Sequence, residues 1–386
     1  MEIGGKSAVA KKRRIIIAAA VLAVVLAASV LAVGAAIGKL FHTRDERAAA
    51  AAQNLTARFW NPDRKYFYCN SDHQVNSKHH AGPENGLYTD FWWEAQLWET
   101  TMDIYQKDGS AQNREMIGNV YDGFLSQYAN WKANKYNDDI GWWAMACTRA
   151  YNLTGDKRYL TTAKQMFDFI YDTQWSDELG GGIWWNRAYN SPQKNVATNA
   201  PASITAARLS KQLNDKTYLE KSQKLYGWVR KNLYEPGTGK VSDHIEENGK
   251  LVGWEFTYNF GTFSGAGYEL YTLTGEKSYL DDACKSMDWV ISNKTRNGIM
   301  TDEGDGDALA FKSVYCRFLK EIADGTKRSS YQDFLNRNAS SAWEHRRTSD
   351  DLIGPDWGLV PGESPLQSVT AAAGVSILQF AQPEEN

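Results

Sequence analysis

Three segments of this chain are near copies of one another: Leu153-Thr-Gly-Asp-Lys-Arg-Tyr-Leu160, Leu213-Asn-Asp-Lys-Thr-Tyr-Leu219 and Leu273-Thr-Gly-Glu-Lys-Ser-Tyr-Leu280. Their final leucines, Leu160, Leu219 and Leu280, recur at a nearly constant interval. Gly155 and Gly275 suit the left-handed residue that ends a helix, and Asn214 is the other type that tolerates that conformation. Weaker versions occur at Lys107-Asp-Gly109 and Ala323-Asp-Gly325. Each unit therefore reads as a helix, a tight turn and a second helix. The period, roughly 60 residues, exceeds that of the common solenoid repeats and suits a ring of paired helices.

Counting back about five helical turns from each of these turns reaches the expected start of the preceding helix. Those starts are Trp92, Asp138, Ala197, Tyr258 and Ala308, with a sixth near Gln367. These first helices are small and apolar, as an inner ring requires. The second helices, such as Lys157–Tyr171 and Lys277–Ile291, are amphipathic with charged outer faces. Six inner and six outer helices make the expected fold all-α, an (α/α)6 barrel. Parallel inner helices would open all their N-terminal ends onto one rim. That rim gathers Trp92-Trp93, Asn137-Asp138-Asp139, Asn195, Trp254, Tyr258-Asn259 and the Asp302–Asp307 loop. The loop Gly180-Gly-Gly-Ile-Trp184-Trp185-Asn186 adds two aromatics.

The N-terminus carries a different message. Residues 1–14 end in Lys-Lys-Arg-Arg, and 15–38 contain no charged residue. That apolar run is long enough for a bilayer core, which needs about 20 helical residues. The basic flank would keep residues 1–14 in the cytoplasm and send the rest outside. A transmembrane signal-anchor at 15–38 is expected, with a cleaved signal peptide as the competing reading. A linker at 39–52 would lead into the barrel at 53–386. Net charge is −3, with no basic arm beyond the N-terminus, so nucleic acid is not an expected partner. Cys69, Cys147, Cys284 and Cys316 lack the short spacing of a metal cluster, and sequence does not pair them. His73, His79-His80 and His244 fall in loop-like segments and read as surface residues. Asn54, Asn152, Asn293 and Asn338 head glycosylation sequons.

The chemistry centres on Asp138-Asp139, followed by Trp142-Trp143. Neighbouring Cα atoms lie about 3.8 Å apart, so both carboxyls can approach one point. A pair about 5 Å apart can cleave a glycosidic bond with retention. The same pair, after Asn137 at a helix start, also reads as a cap with its dipole partner. The 15 Trp and 20 Tyr suit carbohydrate, because the apolar face of a pyranose stacks on an aromatic ring. Trp92, Trp93, Trp142, Trp184, Trp185 and Tyr258 either stack on sugar or pack between helices. Asn137, Asn195 and Asn259 bond to sugar hydroxyls or cap their helices. Asp305 and Asp307 read as a hydroxyl clamp; without a distal Glu the segment is not a calcium loop, and no metal or cofactor is expected.

Taken together, Asn137-Asp-Asp-Ile-Gly-Trp-Trp143, the Gly-Gly-Gly-Ile-Trp-Trp-Asn186 loop, Lys194-Asn195, Thr257-Tyr-Asn-Phe-Gly261 and Phe311-Lys312 resemble glycoside hydrolase family 76, the endo-α-1,6-mannanases and their fungal cell-wall relatives. The resemblance runs from about Trp60 to the C-terminus. It implies an (α/α)6 barrel and a retaining double displacement on α-1,6-mannan, with Asp138 as nucleophile and Asp139 as acid/base. It also leaves open a transglycosylase acting on mannose-containing surface glycans. From the residues alone, a non-catalytic glycan-binding surface protein is the reading from another class. Phe256 departs from the family pattern and bears on one subsite. With the anchor, the expectation is a monomer at the cell surface, its catalytic domain extracellular, or a secreted one if residues 15–38 are cleaved.

Overall fold

The repeated turns do what their residues require. Gly155 and Gly275 end helices at φ 74° and 73°, and Asn214 does so at φ 52°. Asp156 and Asp215 then cap the next helix, accepting from the N–H of Arg158 and Thr217. The computed structural model describes residues 43–75, 79–188 and 192–383. Its long helices are α1 (Arg44–Phe59), α2 (Phe91–Asp108), α3 (Ala111–Gln127), α4 (Asn137–Thr154), α5 (Lys157–Gln174) and α6 (Val196–Leu213). They continue as α7 (Lys216–Asn232), α8 (Thr257–Thr274), α9 (Lys277–Asn293), α10 (Ala308–Thr326), α11 (Ser329–Glu344) and α12 (Ser368–Phe380). The inner helices begin within one residue of the starts that the turns implied.

Packing closes these helices into an all-α barrel. α2 touches α4, α4 touches α6, and so on through α8, α10 and α12, which returns to α2. Helix α6 is buried without a break from Val196 to Ser210, and α12 along its whole length. Most of these residues are small or apolar, which lets a helix be covered on every side, and the buried polar ones, Asn199, Arg208 and Gln379, are hydrogen-bonded. At Gly261 an added Cβ would meet the Tyr315 Cα at 2.7 Å, so glycine is what lets α8 approach α10. Outer helices bury one stripe, as in α5 with Tyr159, Thr162, Ala163, Met166, Phe167 and Ile170. One compact body spans Ala48–Gln382.

Three expectations change here. The segment 39–52 is not simply a linker, because its alanine run favours helix and forms part of α1. Ala48, Ala51, Ala52, Leu55 and Phe59 are buried at helical spacing, and Gln379 Nε2 of α12 donates to the Ala48 carbonyl at 2.9 Å. The last inner helix is thus bonded to a helix from the other end of the chain, and the folded body starts before residue 53. Second, short antiparallel strands join the helices. They are β1 (Trp60–Asn61) with β2 (Tyr66–Phe67), β3 (Gln193–Asn195) with β4 (His244–Glu246) and β5 (Leu251–Val252), and β6 (Thr295–Arg296) with β7 (Ile299–Met300). The β3–β4–β5 sheet sits at the entrances to α6 and α8, with Asn195 opposite His244. Third, Asn338 is fully buried and donates to the Gly298 and Phe334 carbonyls, so its sequon is inaccessible in the folded chain.

All four cysteines are buried and unpaired. Residues 1–14 and the apolar run 15–38 lie outside the described residues. Among those described, no helix is long and apolar enough to cross a membrane.

Candidate active site

Asp138 and Asp139 lie in the first turn of α4, where backbone N–H groups are still free to face a carboxylate. The start of α4 is locked to the Gly-rich loop. Asn137 donates through its backbone to the Trp185 carbonyl and through Nδ2 to the Trp184 carbonyl, both at 2.8 Å. The loop is fixed from beneath by Lys194, whose ammonium donates to the carbonyls of Ser176, Glu178 and Gly181 at 2.7–2.8 Å. It also lies 4.7 Å from the Trp184 ring centre. Burial holds the Lys194 ammonium down at about 8. Asn199 adds a further clamp, accepting from the Ile183 N–H and donating to its carbonyl.

Each aspartate has its own donor. Trp185 Nε1 donates to Asp138 Oδ2 at 2.9 Å, and Asn134 Nδ2 donates to Asp139 Oδ2 at 2.8 Å. The loop carrying Asn134 is tied down by Arg187, which donates to the Lys132 and Asn134 carbonyls. Asp138 Oδ1 has no hydrogen-bond partner among the described residues.

The pair faces a cavity of about 600 Å³, in the range of small-molecule sites. Asp90, Trp92, Tyr128, Trp131, Tyr136, Trp185 and Asp307 share its walls, and no lysine, arginine or histidine among the described residues does. With no cation on that wall, burial raises Asp138 to about 7, although Trp185 and nearby backbone N–H groups pull it back. Asp139 rises well above the carboxylate range, through burial and then through the charge of Asp138. Asp307 is raised by burial and by Asp90, against the Trp93 hydrogen bond. Two acids sharing one low-dielectric site cannot both ionise easily, so one stays protonated near neutrality.

The expected aromatics divide sharply. Trp92 and Trp185 line the cavity; Trp93, Trp142, Trp184 and Tyr258 do not. Trp93 is 1% exposed, lies under the His79 ring at 3.9 Å, and donates from Nε1 to Asp307 Oδ1 at 2.8 Å. Trp142 sits between Trp92 and Tyr258. Tyr258 gives its hydroxyl to Asp243 at 2.6 Å. The asparagines are frame rather than lining. Asn137 holds the loop, Asn195 caps α6 by accepting from the Thr198 N–H, and Asn259 Nδ2 donates to the Trp254 carbonyl. Asp305 and Asp307 are both exposed, but only Asp307 lines the cavity. Two histidines leave the surface. His244 is buried against Asp243 at 2.6 Å, and His79 pairs with Asp90 at 2.8 Å.

Sequence reading missed Asp90, Asn134 and Tyr128. Asp90 had a signal, a carboxylate just before the inner helix that it caps through the Trp93 N–H. Asn134 and Tyr128 had none, because loops far along the chain decide where they point. Among the described residues no group of three or more His, Cys, Asp or Glu side chains is placed to hold a metal ion.

The model of "Glycosyl hydrolase family 76" matches residues 43–379. Mannan endo-1,6-alpha-mannosidase DCW1 of Saccharomyces cerevisiae is 27% identical over 340 residues, covering 79% of this chain and 74% of the yeast protein. An inactive variant of an alpha-1,6-mannanase from a Salegentibacter species, solved with alpha-1,6-mannotriose, superposes with a TM-score of 0.78 at 28% identity. That match covers 87% of this chain and 98% of the other, and the variant carries Asp-to-Asn changes at two adjacent positions. A Listeria innocua structure gives a TM-score of 0.80 at 29% identity, covering 88% of this chain and 97% of that one.

Proposed function

From the premise that this chain belongs to glycosyl hydrolase family 76 and is a glycoside hydrolase, we propose that it cuts α-1,6-linked mannan internally and with retention, using Asp138 and Asp139. The observation that carries this reading is the adjacent pair itself. Both carboxyls face one cavity, each has a separate donor, and burial has pushed both upward. The inactive mannanase variant changed at two adjacent aspartates, with mannotriose bound, supports the same assignment.

The chemistry follows from which acid ionises first. Asp138 gains the Trp185 and backbone hydrogen bonds, so it is the anion. Asp139, facing that anion, keeps its proton. An oxygen of Asp138 attacks the anomeric carbon as the glycosidic C–O bond breaks, and the Asp139 proton goes to the leaving oxygen. Asp139 then takes a proton from water, whose oxygen attacks the same carbon and releases Asp138. Cavity walls of Trp92, Trp185 and Tyr136 offer apolar faces, and Asp90 and Asp307 accept from sugar hydroxyls. The apolar run 15–38 with its basic flank supports a chain held at the cell surface, its barrel outside.

Linear α-1,6-mannan tests this directly. Asp139→Asn should lower turnover by roughly 10²–10⁴-fold, and Asp138→Asn by at least as much. The first product released by the wild type should keep the α configuration by NMR. Undiminished turnover in Asp138→Asn, or an inverted first product, would sink the assignment. Chain lengthening in excess mannooligosaccharide would instead mark sugar, not water, as the acceptor.

A further inference from the structure

Trp254 stands out from every other tryptophan of the mouth, because 58% of it is exposed. It is nevertheless held in place. Its carbonyl accepts from Asn259 Nδ2 at 3.1 Å, and its ring is braced edge-on by His244 at 5.4 Å and by Phe256 at 6.1 Å. His244 is itself fixed by Asp243, the residue that also receives the Tyr258 hydroxyl. Packing against His244 and Phe256 covers only part of this large ring and leaves the rest held in solvent.

Beside Trp254 lies a second cavity of about 390 Å³, walled by Phe256, Asn293, Lys294, Thr301, Asp302 and Glu303. Lys294 is drawn to Glu255 at 3.6 Å, and Lys240 meets the same carboxylate at 2.5 Å. The cation on the wall is thus already compensated by Glu255, and Asp302 and Glu303 on the same wall disfavour an anion, which argues for a neutral ligand. Aromatic rings connect the two cavities. Phe256 lies 5.1 Å from Phe311, and Phe311 lies 5.9 Å from Trp92, which lines the catalytic cavity.

We propose that Trp254 and this second cavity form a distal subsite for a neutral hexopyranose unit of the same glycan that is cut at Asp138 and Asp139. This rests on the reading under Proposed function. The indole offers a flat face to the C–H side of the ring, and Asn293, Thr301 and Asp302 supply polar groups for its hydroxyls. Only a chain long enough to cross the mouth reaches both cavities. Asn259 then acts by positioning Trp254 rather than by touching sugar.

The test compares chain lengths with the full-length protein. For Trp254→Ala, kcat/KM on α-1,6-mannan should fall about tenfold, while α-1,6-mannotriose changes by less than about twofold. Trp254→Phe, which keeps a flat ring, should recover most of the loss. Equal losses on both substrates, or no loss on either, overturn the proposal. If the wild type cleaves neither, the hydrolase reading has failed, and calorimetric titration with α-1,6-mannohexaose decides the subsite alone. Weaker binding by Trp254→Ala than by wild type supports it, and equal binding overturns it.

Discussion

Four carboxylates border the mouth of the inner ring, Asp90, Asp138, Asp139 and Asp307, and four more lie toward its other end, Glu99, Asp103, Glu269 and Glu321. Arginine reaches the second set, whereas the first has tryptophan and asparagine donors and, at Asp90, His79. Arg149 binds Glu99 and Asp103 at 2.6 and 2.7 Å, Arg317 binds Asp103 at 2.6 Å, and Arg208 binds Glu269 at 2.5 Å. Burial acts on Asp103 as it does on Asp138, yet Arg317 and Arg149 outweigh it and hold Asp103 below its ordinary value. Glu321, which Arg208 reaches only at 3.3 Å, still sits above its own. Compensation, rather than depth, decides whether a carboxyl here is a fixed anion or a group ready to exchange a proton. The mouth leaves Asp138 and Asp139 without a cation on the cavity wall, and that is where chemistry is expected.

Removing the compensation should give the largest effect. Arg149→Met leaves Glu99 and Asp103 short of a partner and should cost about 3–5 kcal/mol of stability, read from the denaturant midpoint. A loss under about 1 kcal/mol would mean that the two ends do not differ as described.

The mouth should respond in the opposite sense. Because the folded state raises the Asp138 pKa, the unfolded chain ionises first as pH climbs from about 4 to about 7, and stability falls across that window. Asp138→Asn removes this penalty. It should stabilise the protein by on the order of 2 kcal/mol at pH 8 and by nothing measurable at pH 3.5. Equal stability of variant and wild type at pH 8 would show that the site stores no electrostatic strain.

The smallest effect sharpens the contrast within the pair. Trp185→Phe deletes the side-chain donor to Asp138, so the acid limb of kcat/KM should move up by roughly one pH unit, with activity at pH 6 down about tenfold. An unmoved limb would detach Trp185 from the ionisation of Asp138.

The sequence repeat explains how the arginine layer forms. Arg149, Arg208 and Glu269 follow one another at the same intervals as Leu160, Leu219 and Leu280, so they fall at matching depths on α4, α6 and α8. That layer was legible in the period but not recognised, because a charge on a helix ordinarily reads as solvent-facing. Likewise α1 was hidden, since an alanine-rich stretch beside an apolar run looks like a spacer until the folded chain buries one stripe of it.

Sequence by itself determined the inner helices, their starts to within a residue, the shared rim and the aspartate pair. All of these depend on local rules of turn residues, capping and helical spacing. Only tertiary structure decided which neighbour faces the cavity. Successive residues on a helix point about 100° apart, so Trp92 lines it while Trp93 is buried beneath His79. Tertiary structure also supplied Asn134 and Trp185 as donors and turned Asn195 and Asn259 into supports. Those roles belong to contacts between loops distant in the chain, where no local pattern fixes the partner.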